Sequence, residues 1–443
     1  MGRGPRCGSK PPLGCISVPR VLYRTTDIDV LFVNWRDVSH PEGGGSERYV
    51  QRIAEGLAAA GLRVTLFCAE HGRAPREETV NGVRIVRRGG RLSIYPRAMA
   101  FVRRHKPRLV VDVQNGIPFC STLVTRSPVT TVVFHVHKEQ WPIVFGRIGG
   151  RIGWWLESVV APKVYRRVPY VTISDATGRE MAGLGIAPER ITLVPVGTEP
   201  IVDVPTPRSE SPRLITLGRL VPHKQVEHSL KILARLSDRW PDLTLAVVGE
   251  GWWEDTLRAQ AERLGVADRV EFLGFLDETG KHEQLAAAWV FVCPSIKEGW
   301  GMVVIEAGGH GVPTVGYHSS GGLQESVVDG VSGLLVDDLD QMTDAVARLL
   351  DDTDARRAMG EAAVRHAATF EWSASVREFA GVLARSVRES PRPGVREGAA
   401  ELVARLEGIQ HSTGDPAREP AARLEASVTG NAPFREPASS GLP

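Results

Sequence analysis

The chain has 443 residues, 42% hydrophobic and 24% charged, which is too long for one ordinary core and suits a globular protein of two domains with tails. No apolar run approaches the roughly 18–20 residues that span a bilayer, and the amino terminus lacks the continuous apolar stretch of a secretory signal. The net charge of +2 hides an asymmetry: residues 1–205 carry 29 Lys and Arg against 17 Asp and Glu, and residues 206–443 carry 25 against 35.

A basic first half facing an acidic second half suggests that the two meet different partners. Nucleic acid is not expected, because there is no aromatic-interleaved single-strand motif and no groove-reading helix. An anionic lipid surface or a phosphorylated acceptor fits better. The five cysteines have no metal-ligand spacing. Cys68, Cys120 and Cys293 lie in or beside apolar segments and read as small buried thiols, and an odd count without a signal favours the reducing cytoplasm.

Residues 1–26 form a Pro/Gly/Arg-rich extension, expected to be disordered. Asp29–Asn34 (DVLFVN) then reads as a buried parallel strand. It leads into HPEGGGSERYV, where Gly43, Gly44 and Gly45 precede Ser46, a good N-cap, and a helix with Val50, Ile53, Ala54 and Leu57 at helical spacing. A glycine loop opening onto a helix amino terminus presents N–H groups and partial positive charge to an anion. Strands at 63–68, 83–86, 109–114 and 130–134, with a basic helix at 93–105, give a βαβα rhythm and a doubly wound sheet. The last of these strands ends at His135-Val136-His137. The segment QWPIVFGRIGGRIGWWLESVVAPKVYRR has two readings: an amphipathic helix packed on the sheet, or an acceptor-side surface touching a membrane through Trp154, Trp155 and the arginines. A strand at 168–173, a helix capped by Ser174 and a strand at 191–194 close the first domain, 27–200, ahead of a Pro-rich linker at 201–212.

The second domain, 213–372, opens with a strand at 213–217 followed by Gly218-Arg219-Leu220-Val221-Pro222-His223-Lys224. Arg219 and Lys224 just after a strand can converge on one pyrophosphate, the first as a fork and the second as a point charge. The strand at 243–248 ends at Gly249, where a nucleotide can approach closely. The strand at 290–293 leads to Glu298-Gly-Trp-Gly-Met-Val-Val-Ile-Glu306, two carboxylates on a strand-loop-helix corner at the carboxyl edge of a parallel sheet. Acceptor-only carboxylates suit sugar hydroxyls, and Gly299 and Gly301 let the backbone come close. Helices follow at 341–350 and 354–369, with a last one at about 373–388. Residues 389–443 read as mostly disordered, with an amphipathic patch at 399–409.

The Glu298, seven residues, Glu306 spacing and the Gly-Arg, four residues, Lys pattern at 218–224 together resemble retaining glycosyltransferases of family 4, across roughly residues 29–386. The resemblance implies the GT-B fold: two Rossmann-like, doubly wound α/β domains facing each other across a cleft, the final helix crossing back to the first. It implies that Arg219 and Lys224 stabilise the leaving diphosphate, that Glu298 contacts donor-sugar hydroxyls, and that Glu306 binds the ribose. His135, or in second place His137, would reach the donor sugar, with a structural histidine the competing reading. Gly44 and Gly45 would line the donor phosphate and acceptor cleft. Gly218, Gly249, Gly299, Trp300, Gly301, Gly321 and Gly322 would build the donor loops, Gln324 standing where the family commonly has proline. Phe275 lies where the base binds, although burial in the core is its expected role. The implied reaction is hexosyl transfer from a UDP- or GDP-sugar, with retention, to a hydroxyl acceptor such as a lipid, polysaccharide or small metabolite. No cofactor or metal is expected; Asp27/Asp29, Asp338/Asp340 and Asp352/Asp354 are chance Asp-x-Asp pairs. The implied setting is the cytoplasm, with peripheral contact at the inner face of the plasma membrane. A catalytically silent nucleotide-sugar-binding protein and a GT-B-like epimerase are the alternatives.

Overall fold

The computed structural model describes residues 28–138, 140–199, 201–202, 204–390 and 399–412. The extension and most of the tail expected from the sequence lie outside them. The amino-terminal lobe is an eight-stranded sheet: β1 (Val30–Val33), β2 (Val64–Cys68), β3 (Glu77–Val80), β4 (Val83–Arg87), β5 (Leu109–Gln114), β6 (Val129–Val133), β7 (Tyr170–Thr172) and β8 (Ile191–Leu193). The spatial order is β3-β4-β2-β1-β5-β6-β7-β8. Every residue of β1, β2, β5 and β6 is buried, because helices cover both faces and the alternation of a one-sided sheet disappears. The helices are α1 (Gly45–Ala59), α2 (Ile94–His105), α3 (Gln140–Trp155), α4 (Ala161–Val164) and α5 (Asp175–Gly183).

Two local expectations are corrected. β3, unforeseen, pairs antiparallel with β4 across Asn81-Gly82, both at positive φ (47° and 81°), a conformation that Asn-Gly adopts at little strain. Helix α1 is capped by Gly44, not Ser46: the Glu47 side chain reaches back to accept from the Gly44 N–H at 2.8 Å.

The carboxy-terminal lobe has six strands: β9 (Arg213–Leu217), β10 (Thr244–Val248), β11 (Val270–Gly274), β12 (Val290–Cys293), β13 (Thr314–Tyr317) and β14 (Gly333–Val336). All pair in parallel in the order β11-β10-β9-β12-β13-β14. The order reverses between β9 and β12, so the loops leaving them diverge and open a crevice at the carboxyl edge. Around this sheet lie α6 (Val226–Leu236), α7 (Glu254–Arg263), α8 (Glu278–Ala287), α9 (Met302–Gly309), α10 (Leu323–Ser326), α11 (Leu339–Asp351) and α12 (Thr353–Ala367).

The chain crosses between lobes twice, side by side. Thr198 N donates to Phe370 O at 3.0 Å, and a Cβ on Gly197 would sit 2.4 Å from the Trp372 nitrogen, so only glycine fits that crossing. Helix α13 (Trp372–Arg388) then returns to the first lobe, burying Val376, Phe379, Ala380 and Leu383 against α1 and β1. Each fully buried aliphatic or aromatic group contributes about 1.5–3 kcal/mol, so this face alone anchors the return. The patch foreseen at 399–409 is helix α14 (Ala399–Gln410), which buries Leu402, Leu406 and Ile409 in the same core.

Candidate active site

Because β9 and β12 are neighbours, the loops that follow them carry their side chains to one point. Lys224, at the end of the short turn Pro222–Lys224, donates from Nζ to Glu298 Oε1 at 2.5 Å. Ser295 Oγ donates to the same oxygen at 2.7 Å. Glu298 Oε2 has no hydrogen-bond partner among the described residues. The backbone of Glu298 is clamped onto the loop after β13: its N–H donates to Ser320 O at 2.8 Å, and its carbonyl accepts from Gly322 N–H at 3.0 Å. A Cβ on Gly322 would lie 2.3 Å from Gly299 O, so a larger residue would prise the two loops apart.

Glu306, on α9 and 8% exposed, shows the same asymmetry. Its Oε1 accepts from Lys281 Nζ of α8 at 2.9 Å, and Arg48 of α1 approaches it to 3.5 Å, while Oε2 has no partner among the described residues. Neither Arg219 nor Lys224 bonds to Glu306. Arg219 lines the same pocket as Lys224 and Ser295, and the charges that act on it most are Arg36, Glu47 and Glu42 of the opposite lobe and Glu298 of its own. Desolvation there, and then the Arg36 guanidinium, press its pKa below the usual arginine value.

Burial alone would raise the Glu298 pKa, but the charge and hydrogen bond of Lys224 and the Ser295 hydroxyl outweigh it, holding the carboxyl below its usual value. His223 is pushed down to about 4 by burial, Lys224 and Arg219, and is neutral at pH 7. His135 is likewise driven well below its usual range, first by burial and then by His137. The two histidines diverge. His135 Nε2 lies 3.3 Å from Gln140 Oε1 and feels Lys297 and His223 of the other lobe. His137 Nδ1 instead lies 2.9 Å from Glu157 Oε1, and Glu157 also accepts from Trp141 Nε1 at 2.6 Å. Glu157 sits in a π-helical turn, Leu156–Val160, that breaks the regular helix.

Several expectations change. Gly44 N–H, foreseen facing a phosphate, is spent on Glu47. Gly45 packs against the other lobe, a Cβ there lying 3.1 Å from Met302 Sδ, and Gly299 packs against Phe134 O in the same way. Gly218 and Gly249 stand back to back: a Cβ on Gly249, whose φ is 122°, would lie 2.0 Å from Gly218 O. Trp300, foreseen at the donor, is 3% exposed and packs edge-on against Phe370 at 4.7 Å, so its ring belongs to the core between the lobes. Phe275 is not buried but 77% exposed, because Gly274 at positive φ turns the chain out of the sheet at the edge strand β11. Gly301, at φ 92°, starts α9, and Gly321, at φ 69°, starts the turn into α10. Sequence reasoning missed Ser295, Lys281, Arg48, Arg36 and Glu157. Only Ser295, beside the Glu298 motif, had a local signal. Among the described residues, no group of three or more His, Cys, Asp and Glu is arranged to hold a metal ion.

Solved structures share this architecture: sucrose-phosphate synthase from Thermosynechococcus elongatus superposes with a TM-score of 0.67 at 22% identity, covering 81% of this chain and 98% of that one. The chain thus has the GT-B fold of two facing parallel-sheet α/β lobes. Residues 198–366 match the glycosyl transferases group 1 family, and residues 44–197 match the glycosyl transferase 4-like domain. The chain belongs to the group 1 glycosyltransferases. It is 37% identical over 219 residues to a D-inositol 3-phosphate glycosyltransferase of Corynebacterium glutamicum (strain R), covering 44% of this chain and 51% of that one. It is 38% identical over 172 residues to a GDP-mannose-dependent alpha-(1-6)-phosphatidylinositol monomannoside mannosyltransferase of Mycolicibacterium smegmatis, covering 37% and 44%. The chain thus spans about half the length of the curated relatives it matches.

Proposed function

We propose that this chain is a retaining, metal-independent glycosyltransferase that moves a hexosyl group from a UDP- or GDP-sugar to a hydroxyl acceptor. The observation that carries this reading is the convergence of Lys224 and Glu298 at the strand-order reversal, with one carboxylate oxygen pinned and the other left to accept. In the step, the bond from the sugar's anomeric carbon to the diphosphate oxygen breaks and a bond to the acceptor oxygen forms. Negative charge grows on the departing phosphate, where Arg219, Lys224 and the loop amide at Gly321 stabilise it. The acceptor proton passes to that phosphate, so no separate base is required. Glu298 Oε2 holds donor-sugar hydroxyls, Glu306 the ribose, and His135 contacts the sugar from the opposite lobe. His137, fixed on Glu157, supports that loop. Residues 27–200 with α13 form the acceptor side, 201–212 the linker and 213–372 the donor side.

Purified protein should be stabilised by UDP or GDP: a ligand at 100 times its dissociation constant adds about 2.7 kcal/mol. A thermal-shift screen with UDP, GDP and ADP checks this, and no shift with any of them would overturn the reading. A silent binding protein would shift without releasing nucleotide from a donor, and an epimerase would return an altered nucleotide sugar.

The acceptor is read as lipid-linked and the site of action as the cytoplasmic face of a membrane. Support comes from α3, where Gly146 at φ 67° divides the helix. After that break Ile148, Ile152 and Trp155 form a stripe at helical spacing, 54–78% exposed, and Phe145 just before it is also exposed. Arg147 and Arg151 are exposed beside it, and Arg91 lies over the Phe145 ring at 5.0 Å. Trp154, expected to join that surface, packs instead toward the core beneath. Such a basic, apolar helix face fits the interface of an anionic bilayer. Wild-type protein should sediment with anionic vesicles at low salt, and Ile148→Glu with Ile152→Glu should reduce the bound fraction at least tenfold, since each buried aliphatic contributes about 1.5–3 kcal/mol. Equal sedimentation of both proteins, or none by the wild type, would remove membrane contact.

A further inference from the structure

Two cations meet on one oxygen of Glu306 and both are anchored on a second carboxylate. Lys281 Nζ donates to Glu306 Oε1 at 2.9 Å and to Glu278 Oε2 at 2.8 Å. Arg48 Nη1 lies 3.5 Å from Glu306 Oε1, and Arg48 Nη2 donates to Glu278 Oε1 at 2.6 Å. Lys281 and Glu278 ride on α8, Glu306 on α9, and Arg48 comes from α1 of the other lobe. Lys281 and Glu306 are nearly buried, at 10% and 8% side-chain exposure, while Arg48 and Glu278 are at 34% and 49%. Burial raises the Glu278 pKa, but Lys281 and Arg48 bring it down to about 2, so Glu278 is ionised at pH 7.

A carboxylate has about four acceptor positions. With Oε1 taken by two cations, rotation of the group is blocked and its remaining acceptors lie on Oε2. We infer that Arg48 and Lys281 are positioning residues that fix Glu306 so that Oε2 receives the donor's ribose hydroxyls, and that Arg48 makes this orientation depend on the lobes being together. The inference rests on the nucleotide-sugar reading of the site. It differs from a plain interlobe clamp in what it predicts: a clamp alters the affinity of every nucleotide equally, whereas a positioning network alters discrimination between ribose and a ribose without its hydroxyls.

The test is calorimetric binding of UDP and GDP and of their 2′,3′-dideoxy analogues to wild type, Arg48→Ala, Arg48→Lys and Lys281→Met, with thermal unfolding as a check on folding. Wild type should prefer the ribonucleotide about tenfold or more, as hydrogen bonds to an ionised acceptor allow. Arg48→Ala and Lys281→Met should compress that ratio to below about threefold, and Arg48→Lys should restore part of it. Should Arg48→Ala fail to fold, Lys281→Met carries the test. An unchanged ratio in the folded variants, or a wild type indifferent to the ribose hydroxyls, overturns the inference and leaves the nucleotide-sugar reading standing. A wild type that binds neither UDP nor GDP overturns both.

Discussion

Lys224→Ala should lower kcat for hexosyl transfer by about 10²–10³-fold, the loss typical of removing one preorganised donor of about 2.7–4 kcal/mol from a site of charge development. Steady-state release of nucleotide at saturating donor measures it. The same change leaves Glu298 desolvated without its cation, so burial is no longer outweighed and its carboxyl titrates higher. The acid limb of the remaining activity should therefore move to higher pH. Lys224→Arg keeps the charge but replaces a point donor by a planar fork, and should recover only part of the rate. Turnover undiminished in Lys224→Ala would show that the leaving diphosphate is stabilised elsewhere.

Glu298→Ala should reduce kcat/KM by about 10–10²-fold, because hydrogen bonds to ionised groups contribute about 1.5–3 kcal/mol each and Oε2 is an acceptor without a partner among the described residues. Lys224 also loses the partner that aims it, so kcat falls together with affinity. Glu298→Gln separates the two effects: it keeps the shape and the Ser295 contact but surrenders the charge. The folded-state pKa of Glu298 lies below its ordinary value of 4.5, so its ionised form adds stability that is complete above about pH 4.5 and lost as pH falls through the folded value. Part of the acid-induced drop in unfolding temperature should be missing from Glu298→Gln. An equal drop in both proteins would mean that the Lys224 pair contributes nothing to the fold.

The strands were legible because their chemistry is local. Runs such as VLFV, VTLFC and LVVDVQ are too β-branched and too apolar for a loop, and they lie in the sheets where their composition placed them. The β3–β4 hairpin carries its own local signal, the Asn81-Gly82 turn, but Glu77–Val80 is too polar and exposed to stand out as a strand. Phe275 misled for a physical reason: an aromatic just after the apolar segment Val270–Leu273 reads as core, but hydrophobicity does not report that β11 is an edge or that Gly274 turns the chain outward. Trp300 misled in the opposite sense, because an aromatic between two glycines looks like a binding residue until Phe370 is found against it.

Residue type and spacing by themselves determined the two-lobed α/β plan and put Arg219, Lys224 and Glu298 in loops that follow strands and Glu306 on the helix after them, since turns, caps and strand ends depend on neighbours a few positions away. Which of those charges meet was decided by the folded chain alone. Lys224 reaches Glu298 because β9 and β12 are adjacent in the sheet, whereas Glu306 answers to Lys281 and to Arg48, 258 positions earlier. Coulomb attraction and hydrogen bonding act over a few ångströms of space, and only tertiary packing sets that distance for groups so far apart in sequence.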